Sequence, residues 1–183
     1  SIFNANYSSL NKSMTGREFM LLTCRVASQI GDGHLRVVPP KIQLDSLDTG
    51  PTAIPFNVYC IDNKLYVRKN YSPLEDKEFL GSQIISINGH PIENFIREYL
   101  QIFPSDGNNL THKYRLLSSS RYFTRYFSML YGYSEQYNVE YISQNETNLK
   151  TKTLQGLTFD NLLKIADERY PAKIEEQKPA YFK

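Results

Sequence analysis

The sequence predicts an α+β fold, with an N-terminal helical element followed by a small, partly open β-sheet or barrel that carries one or two helices. Three observations predict it. Thr15-Gly16-Arg17-Glu18 is a capping-box pattern, and Phe19, Leu22, Val26 and Ile30 follow it at helical spacing. Strand-type runs flank Asp62-Asn63 and lead into Asn88-Gly89, two pairs able to adopt the positive φ of a hairpin turn. Directly after the second pair, Ile92, Phe95, Ile96, Tyr99, Leu100 and Phe103 recur as the apolar stripe of an amphipathic helix.

In chain order, the first helix runs from about Thr15 to Ile30, and Gly31 stands where a left-handed cap stops it. After Asp32-Gly33-His34, a brief strand is expected over Leu35 to Val38, closed by Pro39-Pro40. Residues 41–55 are rich in Asp, Thr, Gly and Pro with weak periodicity, which reads as a long loop or domain boundary. Asn57 to Ile61 and Lys64 to Lys69 form the hairpin, and Gln83 to Ile87 is the next strand. Beyond the amphipathic helix, Pro104 to Thr111 reads as a polar linker. Tyr122, Phe123, Tyr126, Phe127 and Leu130 mark a shorter helix, and Tyr137, Val139 and Tyr141 alternate as a strand whose partner lies near Leu149 to Leu154. One more helix covers Asn161 to Arg169, before a charged, Pro-punctuated tail. The organisation expected is a cap element over 1–55, a sheet domain over 56–155 and a linker over 156–183.

Composition narrows the function classes. The chain is 183 residues with 14 Tyr, 10 Phe and 9 each of Gly and Pro, enough for a packed core and unlike a disordered or fibrous chain. A net charge of +2, with basic residues scattered, provides no field to concentrate polyanions, so no nucleic acid partner is expected. The aromatic and basic residues interleaved over Tyr122 to Phe127 fit one buried helical face better than a nucleic-acid surface. No apolar run approaches the roughly 20 residues that cross a bilayer. The first residues lack the pattern of a signal peptide, which leaves a cytosolic protein or one whose export signal has been removed. Cys24 and Cys60, flanked by apolar residues, read as buried thiols, and three scattered histidines lack metal-ligand spacing, so neither a cofactor nor a metal is expected.

Two segments carry a family resemblance. Ile30-Gly31-Asp32-Gly33-His34, at the end of an amphipathic helix, and Tyr71-Ser72-Pro73-Leu74 followed by the run from Phe79 to Ile92 resemble the N-terminal and PDZ-like region of C-terminal processing (tail-specific, tricorn-like) serine peptidases. In that family a Ser-Pro pair precedes a helix, and a Gly-Asp-x-Ile strand runs into an Asn-Gly turn. Here Ser82 stands for the usual Asp and Leu35 for the usual Thr. Ser82 can still accept a backbone hydrogen bond, whereas Leu35 places nothing polar beside His34. The resemblance implies a PDZ-like domain over 56–155 and an exported, periplasmic or cell-surface serine endopeptidase. It also implies that this chain is the substrate-recognition part, with the nucleophilic serine in a separate catalytic domain that would be its intramolecular partner.

The same resemblance makes His34 the candidate general base, since an imidazole titrating near neutrality can take the proton of a serine hydroxyl and return it to a leaving amine. A hydrogen bond across the turn explains His34 equally. Asp32 is expected to shape the turn. PDZ-type domains add a chain terminus as a strand to an open sheet edge. The expected edge is Lys64 to Lys69, with Leu65, Tyr66 and Val67 as peptide-binding residues, although core packing accounts for their alternation too. The partner is then a peptide or protein C-terminus. The alternatives are a non-catalytic PDZ-like peptide-binding or adaptor module, and a segment that blocks the catalytic cleft through the 41–55 loop.

Overall fold

The structure, a computed structural model, describes residues 4, 7, 10, 13–38, 50–73, 76–107 and 109–171. Along them run α1 (Gly16–Ser28), β1 (Phe56–Ile61), β2 (Lys64–Asn70), β3 (Gln83–Ile87), β4 (His90–Pro91), α2 (Ile92–Ile102), α3 (Leu110–Leu117), α4 (Ser120–Tyr131), β5 (Gln136–Ile142), β6 (Leu149–Gln155) and α5 (Phe159–Arg169).

The capping box forms. Thr15 Oγ1 accepts from the Glu18 N–H at 3.2 Å while the Glu18 carboxylate accepts from the Thr15 N–H at 2.7 Å, and the second bond holds Glu18 below the usual carboxylate range. Both hairpin turns form as well. Asp62 and Asn63 take φ of 49° and 58°, Asn88 and Gly89 take 49° and 76°, and the flanking pairs are Ile61 with Lys64 and Ile87 with His90.

The strand expected over Leu35 to Val38 does not form. The Leu35 amide is spent on the Asp32 carbonyl in a turn, and among the described residues no strand pairs with this segment. The linker expected over Pro104 to Thr111 instead gives way to α3 at Leu110, whose first turn is capped by the Asn109 side chain accepting from the His112 N–H. Its buried residues are Lys113 and Leu117, too few apolar positions to show a stripe in the sequence.

The sheet is antiparallel throughout, in the order β1-β2-β3-β5-β6, with β4 pairing β3 past the point where β2 ends. Its two extremes approach each other. Ala53 donates to the Leu157 carbonyl at 2.8 Å and Leu157 returns a bond to Ala53 at 3.0 Å, joining the segment that leads into β1 to the one that leaves β6. The result is a partly open antiparallel sheet in an α+β fold, as the sequence predicts.

Helices cover the sheet from one side. Phe95, Ile96 and Tyr99 of α2 and Phe123 and Phe127 of α4 are buried against Phe56, Leu65, Ile84, Ile87 and Val139 of the sheet. Cys24 of α1 joins this same cluster, and Ile54 is fully buried in it, so the break expected between 55 and 56 does not divide the packing. Nor is 156–171 a linker. Leu162 of α5 packs on Ala53 and Tyr71, and Arg169 donates to the carbonyls of Asn70, Ser72 and Pro73. The residues 41–49 and 172–183 lie outside the described residues. No described helix is long and apolar enough to cross a membrane.

Candidate functional site

His34 lies exposed on a surface turn. Its own N–H donates to Asp32 Oδ1 at 2.8 Å, so the aspartate shapes the turn and does not orient the imidazole. The turn is fastened to the loop after α2 by Gly33 N–H to Asp106 Oδ1 and Gly107 N–H to the Gly31 carbonyl, both 2.8 Å. Among the described residues no serine hydroxyl is hydrogen-bonded to the His34 imidazole.

Leu65, Tyr66 and Val67 do not form an open edge, and this corrects the expectation. Leu65 pairs with Cys60 on one side and Ile84 on the other, and Tyr66 pairs with Tyr59 and Gln83. Val67 donates to Ser82 and accepts from Gly81. Both flanks of β2 are therefore occupied, and Leu65 and Val67 point into the core. A hairpin pattern fixes which strands pair but not which of them a third strand joins.

The strands that do end the sheet are β1 and β6, and each is protected. Lys150 and Lys152 of β6 stand opposite Tyr141 and Val139, the core-facing residues of β5. Lys150 bonds Glu78 and Glu146, and Lys152 bonds Asp76 with its ammonium 5.4 Å from the centre of the Phe79 ring. Inward-pointing charges on a terminal strand discourage another strand from joining it. Along β1 pack α3 and α4, and the Asn57 amide donates to the Ser118 carbonyl at 2.6 Å and to Ser120 Oγ at 3.0 Å.

A different feature has the composition of a binding site. Between the start of α4 and α5 lies a cavity of about 430 Å³, walled by Tyr71, Phe159, Leu162, Leu163 and Ala166, floored by Ser119, Ser120 and Arg121, and lined on the α5 side by Asp160 as well. Leu163 is 58% exposed. The two helices that begin here differ. The α5 terminus is satisfied by Thr158, which accepts from the Asn161 N–H, and by Asp160 in its first turn. At α4 the N-cap Ser119 makes no side-chain cap bond and the first turn holds no acid, which leaves the positive end of that helix without a side-chain counterpart.

Polar groups hold this floor in place. Ser120 Oγ accepts from Asn57 and lies 3.3 Å from the Tyr71 hydroxyl, whose pKa is raised by burial. With first-turn N–H groups and a guanidinium on the α4 side, across from Asp160 and the apolar wall of α5, the α4 side of the cavity suits a carboxylate attached to an apolar side chain. The signal in the sequence was Ser118-Ser119-Ser120-Arg121 before an amphipathic stretch with no acid in its first turn. Neither a protein-family model nor a curated protein matches this chain, so the fold and this cavity are what bear on its function.

Proposed function

We propose that this chain is a peptide-binding module that takes a protein C-terminus, serving as the substrate-recognition part of an exported serine endopeptidase of the C-terminal processing type. The observation that carries the reading is the uncapped, acid-free start of α4 at a cavity that also holds Arg121, with Asp160 on its α5 side. A terminal carboxylate meets the Ser120 and Arg121 backbone donors and the guanidinium, while the last side chain lies on Leu162 and Leu163. Strand addition at Leu65, Tyr66 and Val67 has no part in this reading. His34 acts as general base only where a catalytic domain brings a serine hydroxyl to its exposed ring.

The test is fluorescence anisotropy with a labelled peptide ending in free Leu, compared with the same peptide amidated. The free acid should bind at least about tenfold more tightly, corresponding to about 1.4 kcal/mol for the charge-assisted contacts. Arg121→Ala should remove most of that difference while leaving the fold intact, because Arg121 is exposed. Equal affinity for acid and amide sinks the proposal.

A second reading, a non-catalytic adaptor, is favoured by the absence of a serine hydroxyl bonded to His34 among the described residues. Labelling of the native protein by a fluorophosphonate separates the two. A label that depends on His34 supports the peptidase, and no label supports the adaptor.

A further inference from the structure

Away from the peptide cavity and sharing no lining residue with it, the C-terminal ends of α1 and α2 meet α3 around a second and larger cavity of about 770 Å³. Its lining is unusual in sign, because among the described residues it holds the two cations Arg25 and Lys113 and no carboxylate. Lys113 is 7% exposed, which is rare for a lysine without an acidic partner. Its ammonium donates to the Leu100 carbonyl at 2.7 Å, in the last turn of α2, and that bond uses one of its three donors. Arg25 stands in the last turn of α1, where a cation complements the helix dipole. Its Nε is buried and has no hydrogen-bond partner.

Complementing helix ends explains why cations are tolerated here. It does not explain why both line one cavity whose described lining holds no acid. Burial disfavours the Lys113 ammonium, lowering its pKa. An oxyanion beside the two cations offsets that penalty. The rest of the wall is mixed, with Ser28, Gln29 and Gln101 beside an apolar part. Leu100 lines it, as do Ile30 and Leu110, which are 59% and 48% exposed. The volume is also far larger than an inorganic ion needs and lies in the range of small-molecule sites.

We infer that this cavity is a binding site for a small organic anion, whose carboxylate or phosphate head is held between Arg25 and Lys113 and whose apolar part rests on Leu100, Leu110 and Ile30. The site goes beyond the peptide-binding reading and does not depend on it, since none of its residues lines the cavity at α4.

The experiment is a titration of the full chain, at constant ionic strength, with hexanoate and with inorganic phosphate. The readout is the amide NMR signals of Gly31 and Gly107, which line the cavity and are joined by a hydrogen bond. Hexanoate should give a saturable shift of these signals, and Arg25→Gln and Lys113→Met should each weaken it by about tenfold or more. Lys113→Met should also keep or raise the melting temperature, because it replaces a buried amine with an apolar chain of similar length. Should Arg25→Gln fail to fold, Arg25→Lys retains the charge without the Nε donor and should still weaken hexanoate. The inference is overturned if hexanoate gives no saturable shift, if both folded variants bind it as the original chain does, or if phosphate binds as tightly as hexanoate.

Discussion

Single atoms decide several features of this chain, and Gly156 is the clearest. A Cβ at that position would stand 2.1 Å from the Pro51 carbonyl oxygen, which is backbone and cannot swing aside. Gly156 also donates to the Glu135 carbonyl at 2.7 Å, directly beside the Ala53 and Leu157 bridge that brings the ends of the sheet together. Gly156→Ala should therefore destabilise the fold by about 2–3 kcal/mol, read from urea unfolding; a loss under half of that would mean the bridge is easily displaced. The sequence shows this glycine but not the carbonyl it must avoid, which comes from a segment far away in the chain.

Asp76 gives a second residue-scale expectation. The Lys152 ammonium bonded to it holds its carboxyl below the ordinary range, with the Phe79 and Glu78 amides adding to the effect. A carboxyl whose folded pKa is depressed contributes stability that is fully present above its unfolded value of about 3.9 and is lost as pH falls through the folded value. Asp76→Asn should thus flatten the acid limb of the stability profile below about pH 4 and cost up to about 1 kcal/mol at neutral pH. An unchanged acid limb would show that the pair contributes nothing.

At the scale of elements, the contrast between the starts of α4 and α5 matters most. Ser119 has φ of −90° and ψ of 128°, the extended geometry that an N-cap side chain needs, yet its hydroxyl makes no cap bond. Ser119→Asp should supply both the acceptor and the charge, and raise stability by roughly 0.5–1 kcal/mol. The same carboxylate would occupy the place proposed for the peptide terminus, so binding of a free-acid peptide should fall by about tenfold or more. If stability rises and binding is untouched, the terminus does not lie at α4. Helix boundaries of this kind are legible in sequence when a cap and an apolar stripe coincide, as at Thr15 and Glu18. They are obscure when a helix is short and half polar, as α3 is, because tertiary packing and not its own pattern holds it.

For the whole molecule, one aromatic core joins elements that the sequence divides. Phe123 is fully buried, with ring centres 5.8, 5.7 and 6.3 Å from Phe56, Phe95 and Phe127, so it links the sheet, α2 and α4. Phe123→Ala should cost roughly 3–5 kcal/mol and shift one cooperative urea transition with its slope kept. Two separate transitions, with only one of them moved, would restore the boundary near residue 55 that the packing of Cys24 and Ile54 argues against.

Local chemistry determined the hairpins at Asp62-Asn63 and Asn88-Gly89, the capped start of α1 and the apolar stripes of α2 and α4, because φ preference, capping and periodicity act over a few residues and need no distant partner. Only the tertiary structure decided that β2 is an interior strand, that β6 turns lysines inward, and that Ala53 meets Leu157. Those outcomes depend on which strand lies next to which. Pairing of this kind is set by burying the shared core, and a pattern read along one strand carries no record of its neighbour.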